Sequence, residues 1–461
     1  MPSETTGGTA RTSSQWQTAD SEYYLHPFTD YKSMQEAPAR VVARADGIYM
    51  WDADGNRVID SMAGLGCVAI GYGNKELAAV AAAQLEELSY CHSFFRTTNR
   101  QAIALAEKLV RISPANMSHV FFTVSGSEAN ETAIRLVRHY WDLRGQPERK
   151  IIIGRDNAYH GSTMATASLS GIAPMHGAGG DLPLPGFVHI GCPDHYLYGA
   201  NESEHEFGLR AARWLEEKLL HVGPDRVAAF VGEPLQGAGG AIIPPDSYWP
   251  EVARICKKYG VLLVSDEVLT GFGRTGHLWA IEGYGVTPDI ITCAKALTSA
   301  YVPISATIIS KTIADELIEK GGEWYHGFTY SGFPMACAVA LANLRIIEEQ
   351  NFVNRIANDI GPYFGKKVKE LENLPIVVDA RSRGLFAGIK LGRDKFAREP
   401  FDEALGVGPW CMQHALDHGL ALRAMGDTMM LLPPYIVTSE QIDEIFEIAR
   451  STFQAAQQRF A

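Results

Sequence analysis

The sequence predicts an α/β protein: a large domain with a mostly parallel central sheet, joined to a smaller α+β domain made by both chain ends. Two observations carry this. Between about Leu77 and Gln350, short apolar and β-branched runs alternate with helical patterns, as expected of a parallel sheet buried on both faces. Polar clusters also fall directly after several of these runs, where open α/β sheets bind ligands.

Residues 1–20 open with a stretch rich in Ser, Thr and Gly that lacks an apolar core. They read as a flexible arm rather than a signal peptide. Residues 21–76 form the N-terminal part of the small domain and include a hairpin around Asp54-Gly55. Residues 77–350 form the large domain. It begins with an Ala-rich helix to Leu88 and continues with strands at Val120–Phe122, Ile151–Ile153, Ala228–Val231, Val261–Val264 and Ile290–Thr292. It closes with a helix whose apolar stripe is Ala336, Val339, Ala340, Leu344 and Ile347. Residues 351–461 complete the small domain with a strand at Leu385–Leu391. A last helix starts at the capping-box pattern Thr438-x-x-Gln441 and carries Ile442, Ile445, Phe446, Ala449 and Phe453 on one face.

The 461 residues are 46% hydrophobic and 20% charged, the composition of a soluble globular chain with a sizeable core. A formal net charge of −12 disfavours nucleic acid and anionic membrane surfaces as partners. No run approaches the roughly 18 apolar residues of a membrane span. Seven scattered cysteines without a C-x-x-C pair indicate reduced thiols and a cytoplasmic protein. The histidines lack metal-ligand spacing, so no metal site is expected.

Three clusters carry candidate chemistry. Ser125-Gly126-Ser127-Glu128-Ala129-Asn130 follows the strand at Val120 and opens a helix. Its small residues suit a phosphate cradle at a helix N-terminus, while Ser125-x-x-Glu128 equally suits an ordinary capping box. Asp266 ends one strand and Lys295, 29 residues later, ends another. Pyridoxal phosphate chemistry uses this pair: a lysine that condenses with the aldehyde and an aspartate that keeps the pyridine nitrogen protonated. Gly271-Phe-Gly-Arg-Thr-Gly276 matches G-x-G-x-x-G literally. It neither directly follows its strand nor opens a helical pattern, so a dinucleotide turn is rejected.

With these residues in place, the chain resembles class III aminotransferases on the fold-type I scaffold, and within them the amine:pyruvate (omega-) transaminases. The resemblance runs from about Leu25 to the last helix. It rests on His26-Pro-Phe-Thr29, Met62-Ala-Gly-Leu65, Ser125 to Asn130, Tyr159-His-Gly-Ser-Thr163, Gly232-Glu-Pro-Leu-Gln-Gly237, Asp266-Glu-Val268, Ala294-Lys295 and Gly327-Phe-Thr-Tyr-Ser-Gly332. It implies pyridoxal 5'-phosphate as cofactor, with Lys295, Asp266 and Tyr159 as catalytic residues. Ser125, Gly126 and Ser127 would hold the phosphate, and Phe328 and Thr329 the phosphate of the neighbouring subunit. Tyr159 and Val268 would face the two sides of the ring, with His160, Glu233 and Gln236 behind it. Phe28, Leu65, Gly66, Phe94 and Ala238 would border the substrate, and Arg423 would pair with the carboxylate of pyruvate.

Three departures stand out: Gly66 where a tryptophan is usual, Phe333 for a histidine, and Ala296 for a glycine. The first suggests an amine pocket open to bulky or long-chain donors. The implied function is a transaminase that moves an amino group from a primary amine to pyruvate, working as a homodimer or tetramer. A decarboxylase or racemase of the same fold, and a non-catalytic ligand-binding protein, are the alternatives.

Overall fold

The computed structural model describes residues 11–460 except 178 and 200. At its centre lies a seven-stranded sheet. In chain order its strands are preceded by three N-terminal ones: β1 (Val42–Asp46), β2 (Tyr49–Asp52) and β3 (Arg57–Asp60). The sheet itself comprises β4 (Met117–Thr123), β5 (Ile151–Arg155), β6 (Phe187–Ile190), β7 (Val227–Gly232), β8 (Leu262–Asp266), β9 (Ile290–Cys293) and β10 (Ser305–Ser310), in the order β4-β10-β9-β8-β7-β5-β6. Every pairing from β9 to β6 is parallel, and β10 alone runs against its neighbours. Strands β7 and β8 are buried along their whole length, which is why they read as continuous apolar runs.

Five of the seven strands coincide with the expected apolar runs, and β6 and β10 add to them. Strand β10 escapes an apolar scan because Ser305 and Thr307 interrupt it. Both are buried, and their hydroxyls donate to Ser125 O (2.7 Å) and Ala129 O (2.8 Å) at the start of the helix Gly126–Leu143. The antiparallel strand thus pins that helix to the sheet.

The chain ends meet around the expected hairpin, β2 pairing antiparallel with β3. The remaining strands are β11 (Val377–Ser382), β12 (Ala387–Leu391), β13 (Leu420–Ala421), β14 (Arg423–Met425) and β15 (Thr428–Leu431). Strand β13 pairs parallel with β3, Leu420 opposite Ile59, so one small sheet contains residues from both ends. The other four form the sheet β11-β12-β15-β14. The last helix, Ser439–Phe460, starts at the anticipated capping box: Gln441 N donates to Thr438 Oγ1 and Thr438 N to Gln441 Oε1.

Within the expected arm the structure adds a helix. Residues 1–10 lie outside the described residues, but Ser13–Tyr23 is a helix opened by a Thr12–Gln15 capping box. It buries nothing. Its caps, a hydrogen bond from Ser13 to Asp54 and one from Gln17 Nε2 to Ala39 O (3.1 Å) hold it, features that composition does not register. Among the described residues no helix is long and apolar enough to cross a membrane.

Candidate active site

The site assembles at the C-terminal ends of β4, β5, β7, β8 and β9. Ser125 caps the helix Gly126–Leu143, its hydroxyl accepting from Glu128 N (3.2 Å), while the Glu128 carboxylate accepts from Val124 N (2.8 Å). The capping reading of this motif is therefore realised, shifted by one residue on the glutamate side. It leaves the first-turn N–H groups of Gly126 and Ser127 without intrahelical acceptors, which makes an anion-binding end. A Cβ on Gly126 would lie 2.9 Å from Val268 Cγ1, so the glycine lets the cradle close on the Val268 side chain. Ser127 Oγ accepts from Ser162 N (3.1 Å). A cavity of about 300 Å³ opens here, lined in part by Ser125, Gly126, Lys295 and Thr298.

Asp266 ends β8 and is 3% exposed. Its Oδ2 accepts from His160 Nδ1 and Asn130 Nδ2, each at 2.7 Å, and its Oδ1 from Val268 N at 3.0 Å. Asn130 Oδ1 in turn accepts from Thr292 Oγ1 on β9 (2.8 Å). A buried charge held by this many donors has a fixed direction. Oδ1 keeps a lone pair for a further donor such as a protonated ring nitrogen.

Lys295 reaches the same place because β8 and β9 are parallel neighbours, with Asp266 opposite Thr292. It follows the strand in a short turn with φ +47°, a conformation that costs a non-glycine residue of order 1–3 kcal/mol and marks functional turns. Asn343, fully buried on the helix Pro334–Glu349, holds that turn. Its Nδ2 donates to Ala296 O (2.8 Å) and Leu297 O (3.0 Å), and its Oδ1 accepts from Ser299 Oγ (2.8 Å). Burial lowers the lysine pKa, Arg423 lowers it further, and Cys67, Asp266 and Glu233 oppose the shift.

Glu233 Oε1 accepts from Tyr159 N and its Oε2 from Gly237 N, both at 3.0 Å, and burial raises its pKa. Tyr159 Oη bonds Ser162 Oγ (3.1 Å), and Phe28 meets the Tyr159 ring edge-on at 6.3 Å. Gln236 Nε2 donates to Asp156 O (2.9 Å), but its buried Oε1 has no partner. His160 Nε2 is likewise buried and unpartnered. The anion-binding helix end, the fixed carboxylate, the lysine of lowered pKa and these orphaned polar atoms suit a ring-bearing phosphate cofactor. Arg423, half-buried on β14, makes no ion pair among the described residues, and burial lowers its pKa.

Not every expected residue joins this cluster. Phe328 and Thr329 lie in a segment where Thr329 is exposed and its carbonyl accepts from Tyr90 Oη (2.8 Å). Phe94 lies against that segment: a Cβ on Gly327 would stand 2.8 Å from its ring. Leu65 is 64% exposed, and Ala238 lies in the loop after Gly237.

Gly66, where a tryptophan is usual, ends the short helical turn Ala63–Gly66. Its φ of +73° points a Cβ to within 2.2 Å of Leu269 Cδ1 and 2.9 Å of Leu432 Cδ1. Two leucines already fill the direction a side chain would take. Asn130 and Asn343 are additions that sequence reading did not assign. Asn343 sits on the apolar stripe of its helix, and a lone amide at such a position was the available signal.

The family Aminotransferase class-III matches residues 31–453. The chain is 47% identical over 436 residues to putrescine–pyruvate aminotransferase of Pseudomonas aeruginosa, covering 95% of both. It is 40% identical over 442 residues to mitochondrial gamma-aminobutyrate transaminase 1 of Oryza sativa subsp. indica, covering 95% of this chain and 85% of that one. The structure of an omega transaminase from Pseudomonas jessenii in complex with PMP superposes with a TM-score of 0.94 at 40% identity, over 96% of this chain and 98% of that one. This protein belongs to the class III aminotransferases of fold type I, whose cofactor is pyridoxal 5'-phosphate.

Proposed function

We propose that the protein transfers the amino group of a primary amine to pyruvate, giving an aldehyde or ketone and alanine. The carrying observation is that Lys295 lines a cavity with the cradle at Gly126 and lies within reach of the charges of Asp266 and of Arg423, an arginine that makes no ion pair among the described residues. When bound, pyridoxal phosphate supplies the aldehyde that receives the amine and a ring that withdraws electrons from the substrate carbon. Gly126 and Ser127 bind its phosphate through backbone N–H groups, and Asp266 Oδ1 keeps the ring nitrogen protonated. Tyr159 and Val268 orient the ring. Lys295 Nζ, with its lowered pKa, would take the proton from the substrate carbon and hand it to the cofactor's former aldehyde carbon, as general base and then acid. Arg423 binds the carboxylate of pyruvate by paired charge-assisted hydrogen bonds.

The donor is a primary amine, with long-chain diamines among those accepted; the 47% identity to putrescine–pyruvate aminotransferase supports this. The smallest active unit is a homodimer in which Phe328 and Thr329 reach the neighbouring phosphate. The exposed aromatic side chains of Phe95, Tyr325 and Tyr330 beside that segment support it. The compartment is the cytoplasm.

The test is a pair of half-reactions on the loaded enzyme. Putrescine should bleach the visible band and pyruvate should restore it with one alanine formed per site. Carbon dioxide release from an amino acid, or a band that pyruvate does not restore, would replace transamination by the decarboxylase reading.

A further inference from the structure

On its N-terminal side, the segment that carries Phe328 and Thr329 is tied to the helix Gly126–Leu143 through His326. Its Nδ1 lies 2.9 Å from Arg135 Nη1 and its Nε2 2.9 Å from Thr132 Oγ1. A guanidinium only donates, so Nδ1 is the acceptor and the ring proton sits on Nε2, donating to Thr132. Burial and the neighbouring Arg135 lower the His326 pKa to about 4, in keeping with a neutral ring. Arg135 Nη2 also donates to Tyr325 O (3.1 Å), and the ring stacks on Phe121 of β4 at 5.3 Å and meets Phe328 edge-on at 5.2 Å. Thr132 is fully buried, and Thr132 and Arg135 both belong to the helix Gly126–Leu143. One helix therefore presents its N-terminus to its own subunit's cofactor site and its flank to the segment expected to serve the other.

We propose that His326 is a positioning residue acting across the dimer: it fixes Phe328 and Thr329 of one subunit so that they bind the phosphate held by its partner. This rests on the shared-site reading above. Two hydrogen bonds and a stacked ring immediately before Gly327 set where the next two residues emerge. Among the described residues, His326 makes its side-chain hydrogen bonds to Thr132 and Arg135 alone, and the cavity at Lys295 is not lined by it.

Mixed dimers of two differently tagged chains test this. One chain keeps Lys295 and the other carries Lys295→Ala, so only the first shows the visible absorbance of lysine-bound cofactor, and a cofactor titration read at that band reports one site. His326→Phe keeps the stacked ring and removes both hydrogen bonds. Placed on the Lys295→Ala chain, it should weaken cofactor binding at the live site about tenfold, the effect of one lost buried hydrogen bond. Placed on the chain that keeps Lys295, it should leave that titration unchanged. Thr132→Val, close to isosteric, should repeat the pattern if His326→Phe folds poorly. Weakening on the lysine-bearing chain, or in neither arrangement, overturns the proposal. Thr329→Ala in the same two arrangements separates the layers. If it acts across the dimer while His326→Phe does not, the positioning role alone fails; if Thr329→Ala does not act across the dimer, the shared-site reading fails and the proposal with it.

Discussion

Replacing Asn343 should damage both the fold and the chemistry, and the nature of the replacement should matter more than its size. Three buried hydrogen bonds connect this amide to the turn that begins at Lys295. At about 1 kcal/mol net for each, Asn343→Ala should cost about 3 kcal/mol of stability, and more if the carbonyls of Ala296 and Leu297 stay dry and unpaired. Part of that energy holds Lys295 at its positive φ, so the variant should also lose turnover by more than it loses cofactor affinity. Asn343→Asp is nearly isosteric, yet it turns an acceptor toward two carbonyl oxygens at a fully buried position. It should be worse than alanine at neutral pH and recover partly in acid, because only a protonated carboxyl can donate to either carbonyl. Urea denaturation at several pH values, with single-turnover amine kinetics, measures both effects. An Asp variant more stable than the Ala variant at pH 8 would refute the reasoning, since it would mean that the side chain matters for its volume alone.

Lys295→Ala should abolish turnover while the apoprotein still takes up pyridoxal phosphate, which equilibrium dialysis would register. Arg423→Ala should slow the pyruvate half-reaction by at least tenfold, the loss of a charge-assisted pair, and leave the half-reaction with putrescine nearly intact; rapid-mixing kinetics of each half separate the two. Glu267, fully buried and accepting from Thr270 Oγ1, Ala280 N and Ile281 N, has its pKa pushed up to about 7 by burial. The folded state thus holds a proton that the unfolded state releases, so this contribution is complete below about pH 4.5 and is lost as pH climbs through about 7. Glu267→Gln should flatten that slope in melting temperatures recorded across the range. Gly66→Ala should destabilise the protein by roughly 1–2 kcal/mol from its left-handed backbone alone, with the Leu269 contact adding to it, and a melting temperature equal to the parent's would mean the turn relaxes freely.

Much of the architecture was legible because burial on both faces writes itself into sequence as unbroken apolar runs, as in β7 and β8. It was illegible where a buried strand satisfies its polar side chains internally, as Ser305 and Thr307 do in β10. The lysine and the aspartate could be found from their positions after strand ends. What holds them could not: Asn130 and Asn343 bond groups 162 and 47 residues away in the chain, and a pattern of residue types carries no such pairing. Gly66 shows the complementary limit. Its identity is plain in the sequence, but the sign of φ and the two leucines in front of it are properties of the folded turn.

Asn130 lies one helical turn beyond Gly126, and this gives the helix Gly126–Leu143 the character of a ruler. The backbone N–H groups at its tip would mark where a phosphate stops. The Asn130 amide, about 6 Å further along the axis at 1.5 Å per residue, fixes the carboxylate that marks where the ring nitrogen stops. Because both marks would be cut on one rigid rod, a cofactor held this way could rock about the line joining them but not slide. An analogue with one extra methylene between ring and phosphate would overrun the scale, and it should bind poorly even though every contacting group is unchanged.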